Sequence, residues 1–243
     1  MSLSSCTVID SLVQIGERGG YVFDVHFTVI TSNPNAIARA TEEQLEEEVS
    51  ILNRYFVTEN RENIVAFVFK STTLYADAQL SNCDLVQMSN AGIAYESNDW
   101  EDAIDACSDP SIVDPNAINF FVYDDYATND DYATNGYTSI TSRGRLNGYY
   151  PYVILDWERL NHTTQSPEEH EMGHAFGLDH VCNPTAIDTT STNIMATAGK
   201  YPSATGEDVD CEGQGGLRDI GFNSEQETTI LANAAQIETT LAP

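Results

Sequence analysis

Between Tyr21 and Ile30 the chain alternates, with Tyr21, Phe23, Val25, Phe27 and Val29 on one face and Asp24, His26 and Thr28 on the other. A period of two predicts a strand with one buried face. His26, on the polar side, reads as a surface or packing residue rather than a ligand. The period then changes. Leu45, Val49, Leu52 and Phe56 recur at helical intervals behind Thr41 and Gln44, which have the spacing of a capping box, so a helix is expected there. Its acidic residues Glu42, Glu43, Glu46, Glu47 and Glu48 are expected to form a solvated face, those of the first turn also complementing the helix dipole. Three apolar runs, Asn63 to Phe69, Ile118 to Tyr123 and Tyr152 to Trp157, have the length and composition of central strands. Beyond Val181 periodicity fades until Ser224. There Ser224 and Glu227 suggest a second capping box, and Ile230, Ala234, Ile237 and Leu241 make a helical stripe. This order predicts an α+β chain, an α/β-type first part followed by a loop-rich second part that ends in a helix.

Composition narrows the partners. The chain has 243 residues, 41% of them hydrophobic, and 10 Lys and Arg against 38 Asp and Glu give a formal charge of −28. Such a field repels phosphates and anionic lipid, which argues against nucleic acid and against membrane binding through basic patches. No apolar run is long enough for a transmembrane segment. The opening MSLSSC lacks the charged and apolar regions of a secretory signal, and Met1 to Leu3 read as an expression scar.

Five cysteines are too few for a disulfide scaffold and suit one or two bridges. The candidate pairs are Cys182 with Cys211 and Cys83 with Cys107, other connectivities remaining open. Cys6 is then left over, as a lipid-bearing cysteine of a trimmed lipoprotein, a zinc-blocking thiol or merely a residue near the terminus. Two acidic stretches are candidate Ca2+ sites, because hard cations take clustered carboxylates. They are the tandem DDYATN repeat, Asp124 to Asn129 and Asp130 to Asn135, and GEDVDCEG, Gly206 to Gly213. Solvated loop is the plainer reading of both.

The densest chemistry lies in HEMGHAFGLDH, His170 to His180. Ser166 and Pro167 have the order of an N-cap and first helical residue, so a helix should begin there. Positions i and i+4 share a helix face, so His170 and His174 can point to one ion while Glu171 projects beside them. Gly177 can take the positive φ that ends the helix and lets the chain turn His180 toward the same point. Three neutral imidazoles and a water make the open, catalytic form of a zinc site. His162 lies outside this spacing.

On these residues the chain resembles the metzincin clan of zinc endopeptidases, whose signature is H-E-x-x-H-x-x-G-x-x-H followed by a Met-turn. NIMATAG supplies the methionine, and the resemblance implies that Met195 lies beneath the imidazoles as an apolar floor. It also implies a zincin-like fold with a twisted mixed sheet. Residues 1–20 would be an N-terminal segment, 21–180 an upper catalytic subdomain carrying the zinc-binding helix, and 181–243 an irregular lower subdomain with the Met-turn and a final helix. The stretch EEQLEEEVSILNRYF is similar to the first helix of pappalysin-type members. The short link from His180 to Met195, and Val181 directly after the third histidine, depart from that pattern. Thr197 stands where astacins and serralysins carry a tyrosine, so no tyrosine ligand is implied.

The implied activity is hydrolysis of peptide bonds, with a zinc-activated water and Glu171 as general base. The partner would be a protein or peptide substrate, extended along an edge strand whose rim includes RLNGYY, Arg145 to Tyr150. The alternatives are a peptide-binding module that keeps the metal without turnover and a zinc hydrolase of a non-peptide amide. Bridged cysteines, and the hazard of a free endopeptidase in the cytosol, lead to the expectation of a secreted, extracellular or periplasmic protein.

Overall fold

The computed structural model describes residues 20–75, 83, 85–86, 99–123, 142–148, 150–161, 168–187, 189–197, 199–202, 208–211 and 215–242. Cys6, His162, Ser166, Pro167 and the DDYATN repeat lie outside them, as do both ends of the Gly206 to Gly213 stretch. The alternating and apolar segments become one five-stranded mixed sheet. Its strands are β1 (Val22–Val29), β2 (Ala66–Leu74), β3 (Ile118–Tyr123), β4 (Ser142–Asn147) and β5 (Tyr150–Asp156), in the order β2-β1-β3-β5-β4. The first four in that order run parallel, and β4 is an antiparallel edge strand paired with β5. β2 begins three residues later than the apolar run at Asn63 and continues through Ser71, Thr72 and Thr73, which pair with His26, Phe27 and Thr28. Of RLNGYY, Arg145 to Asn147 end β4, Gly148 forms a turn and Tyr150 begins β5, while Tyr149 lies outside the described residues.

A parallel sheet covered on both faces needs apolar residues on both, and β3 is buried at every position. One face, through Phe27, Phe120, Val122, Val153 and Leu155, packs against Leu45, Leu52, Met172, Phe176, Ile230 and Ile237. The other, through Phe121, Tyr123, Tyr152 and Ile154, is covered by Cys83, Leu85, Ile104, Cys107 and Ile112. This second layer corrects the one-faced reading of β1. From Val25 onward the strand is buried on both sides, His26 included. His26 is therefore a packing residue and not a surface one. Its Nε2 donates to the Ser111 carbonyl (3.0 Å), its Nδ1 meets the Ser71 hydroxyl (2.9 Å), and burial holds its pKa below the ordinary value.

Five helices surround the sheet among the described residues: α1 (Pro34–Arg39), α2 (Glu42–Tyr55), α3 (Asp99–Ala106), α4 (Glu168–Ala175) and α5 (Ser224–Leu241). A short 3-10 segment, Trp157–Asn161, follows β5. Thr41 caps α2 by accepting from the Gln44 amide (3.2 Å), but the Gln44 side chain does not return to close the box. It donates instead to Glu48 (2.7 Å). Glu48 departs from the expected solvated face, being only 2% exposed, because it follows Leu45 by three residues and precedes Leu52 by four. That places it on the rim of the apolar stripe, where burial pushes its carboxyl up to about 7. At α5 the cap is Asn223, one residue before the expected Ser224. Its side chain accepts from Glu225 and Gln226, and Gln226 Oε1 accepts from the Asn223 amide (3.0 Å), so the box closes with Gln226 rather than Glu227. The stripe Ile230, Ala234, Ile237 and Leu241 is buried as expected.

Residues beyond position 180 share the main core: Ile194, Met195, Phe222 and the α5 stripe belong to the same cluster as the sheet. Short ladders, β6 (Val181–Cys182) with β7 (Ala196–Thr197) and β8 (Gly199–Pro202) with β9 (Asp208–Cys211), organise the segment that had no visible period. Cys83 with Cys107 and Cys182 with Cys211 stand at disulfide distance, with Cα separations of 4.8 and 5.4 Å. Among the described residues no helix is long and apolar enough to cross a membrane. The second bridge closes a loop of sequence separation 29 that contains Met195. Replacing Cys182 and Cys211 together by Ser is expected to lower unfolding stability by about 2–4 kcal/mol, read by urea titration. Finding both as free thiols in protein folded under oxidising conditions would reject the bridge.

Candidate metal centre

Helix α4 ends where its sequence stops being helical. Gly177 has φ +82, its amide donates to the His174 carbonyl (2.8 Å), and the Leu178 amide donates to the Gly173 carbonyl (3.0 Å). This is the Schellman arrangement, and only a residue without Cβ adopts that φ readily. Asn233 of α5 donates to the Phe176 carbonyl (2.7 Å), so the final helix also caps this terminus. The reversal carries the chain through Leu178 and Asp179 to His180.

The three imidazoles meet. Ring centroids lie 4.8 Å apart for His170 and His174, 4.6 Å for His174 and His180, and 5.2 Å for His170 and His180. One nitrogen from each falls within 4.8 Å of the others, in a group that could hold a metal ion. The outer nitrogens show how the rings are set. His170 Nδ1 donates to the Ile194 carbonyl (2.8 Å) and His174 Nδ1 to the Leu178 carbonyl (2.6 Å). A carbonyl accepts only, so each Nδ1 carries a proton, and in the neutral tautomer each Nε2 is left to present a lone pair. His174 Nε2 lies 3.0 Å from His180 Nε2. Burial, with Arg218 and His174 beside it, holds His170 well below its ordinary pKa; burial first, then His174 and Arg218, brings His180 to about 4. In their neutral form, three imidazoles with converging lone pairs make a donor set for a divalent metal ion.

Glu171 is next to His170 on α4 and 8% exposed, and its Oε2 accepts from the Gly144 amide of β4 (2.7 Å). A Cβ at position 144 would collide with the Glu171 carbonyl, so glycine is what lets the edge strand lie directly on the helix. Beneath, a Cβ at Gly173 would strike Met195 Sδ, and Met195 is fully buried. The loop bearing Met195 is tied down by Val181, whose amide donates to the Met195 carbonyl (2.8 Å), and by Asn193 Oδ1, which accepts from the Met195 amide (2.9 Å). The sequence reading missed Gly144, Gly173 and Arg218. The glycines have no local pattern, and Arg218 sits in the stretch without period.

The fold and site define a mixed α/β protein with a three-histidine centre that could hold a metal ion. Comparison with protein-family models and with curated proteins finds no match to this chain.

Proposed function

We propose that this chain is a secreted zinc endopeptidase of metzincin type. The observation that supports the reading best is the pairing of three imidazoles, two of them locked by backbone carbonyls, with a carboxylate next to the first histidine. His170, His174 and His180 would hold the ion through their inner nitrogens, with Met195 packed under the helix that carries two of them. A bound zinc would supply Lewis acidity, activating a water and polarising the scissile carbonyl.

The chain's own residues would do the rest. Glu171 would take the water proton on its carboxylate and pass it to the leaving amine. The Gly144 amide, bonded to Oε2, would keep that carboxylate oriented while the other oxygen serves as the base. β4, as the edge of the sheet, would offer main-chain groups to an extended substrate. The two disulfide-distance pairs support an oxidising compartment, extracellular or periplasmic.

A peptide library incubated with the zinc-loaded protein and read by mass spectrometry tests the reading. Cleavage within peptides is expected, abolished by a chelator and restored by added zinc. Chelator-insensitive cleavage, or none across the library, would overturn it.

A further inference from the structure

Arg218 is held beside the centre, and among the described residues it forms no ion pair. Its backbone takes the left-handed region (φ 49), its amide donates to Thr192 Oγ1 (3.1 Å), and Thr192 Oγ1 donates to the Gly215 carbonyl (2.6 Å). Its Nε donates to the Ala196 carbonyl (2.7 Å), directly after Met195 and two residues from the carbonyl that orients His170. A Cβ at Gly215 would press on Nε and Nη2 at 3.2 Å, so the missing side chain leaves the space in which the guanidinium lies. Glu171 and Glu169 favour its charge, which in turn disfavours protonation of His170 and His180.

This is an expensive place for a cation. Arg218 is partly desolvated, in a chain with 38 acidic residues, yet among the described residues no carboxylate lies within ion-pairing distance of it. Burying a charge is normally offset by pairing it. Nε and the backbone amide are occupied, whereas the two Nη atoms meet no hydrogen-bond partner among the described residues. Two parallel N–H donors on a rigid, permanently charged plane match a carboxylate.

We propose that Arg218 is a specificity-determining residue that binds a substrate carboxylate next to the metal centre, so the site takes peptides with an acidic group close to the scissile bond. The inference rests on the endopeptidase reading. The carboxylate belongs to an Asp or Glu side chain or to the peptide C-terminus.

The test uses the zinc-loaded full chain and fluorogenic decapeptides in matched pairs. One set carries Glu or Gln at each position in turn, and another ends in a free acid or an amide. For wild type, kcat/KM is expected to favour the acid over its amide counterpart by about tenfold or more at one position, mainly through KM. The set showing the preference identifies the source. In Arg218→Gln the ratio should fall to near one, and Arg218→Lys, which keeps the charge but not the fork, should fall between. No acid preference in wild type, or a ratio unchanged in Arg218→Gln, would overturn the proposal. Binding of the same pairs by fluorescence anisotropy separates the two readings. An acid preference in binding that Arg218→Gln removes, without cleavage of any peptide, would sink the endopeptidase and keep the Arg218 assignment. If Arg218→Gln fails to fold, the wild-type ratio and Arg218→Lys still decide.

Discussion

Replacing Glu171 by Gln is expected to leave zinc content and peptide binding unchanged while lowering peptide cleavage by about 10²- to 10⁴-fold, the range for losing a general base. The substitution is close to isosteric. The oxygen of the introduced side-chain amide can still accept from the Gly144 amide, as Glu171 Oε2 does now at 2.7 Å, so the contact between β4 and α4 has no reason to change. What changes is the other terminal atom. A carboxylate oxygen that accepts a proton becomes an NH2 group that only donates. The histidines keep their carbonyl partners, Ile194 and Leu178, so metal affinity is expected to hold. Single-turnover cleavage and elemental analysis on the same preparation check both halves. Undiminished cleavage by Glu171→Gln would remove the role assigned to Glu171, and loss of zinc would show that Glu171 supports the ligands instead.

The second large effect concerns the third imidazole. His180→Ala is expected to lower zinc affinity by more than about 100-fold, since changing a partner behind a ligand costs about 10- to 100-fold by itself. His170 and His174 would remain on α4, but two imidazoles leave a zinc ion with too few protein ligands for a catalytic geometry. The zinc-dependent rise in thermal stability should disappear with the affinity, because a ligand stabilises the fold only as far as it binds the native state. His180 sits after the helix-ending turn rather than in the core of α4, so its loss should not unfold the chain. Full zinc content and an unchanged thermal shift in His180→Ala would exclude it as a ligand.

Both expectations come from residues that could be read along the chain, and the reason is geometric. His170, Glu171, His174 and Gly177 lie within eight consecutive residues, and helical geometry together with one positive-φ glycine sets their relation whatever packs around them. The stripes of α2 and α5 and the apolar runs of the central strands were legible for the same reason, since periodicity is a short-range property. Caps were legible only to within a residue. Asn223, Ser224 and Thr41 all offer a suitable oxygen, and tertiary contacts decide which one is used.

The spacing of the three histidines, the mixed α/β class and the positions of β1, β2, β3, β5, α2 and α5 were thus legible in the sequence alone, whereas α1 and α3 were not. Burial of polar groups was not. Whether Glu48 faces water depends on packing at the edge of its helix stripe, and whether His26 does depends on the layer around Ser111, 85 residues further along the chain. Gly144 reaches Glu171 across 27 residues, and Arg218 reaches the Ala196 carbonyl across 22, each through a contact between elements that no local period encodes. Only the tertiary structure decided these, because burial and electrostatic environment are set by which surfaces meet, and that is settled by the whole chain at once.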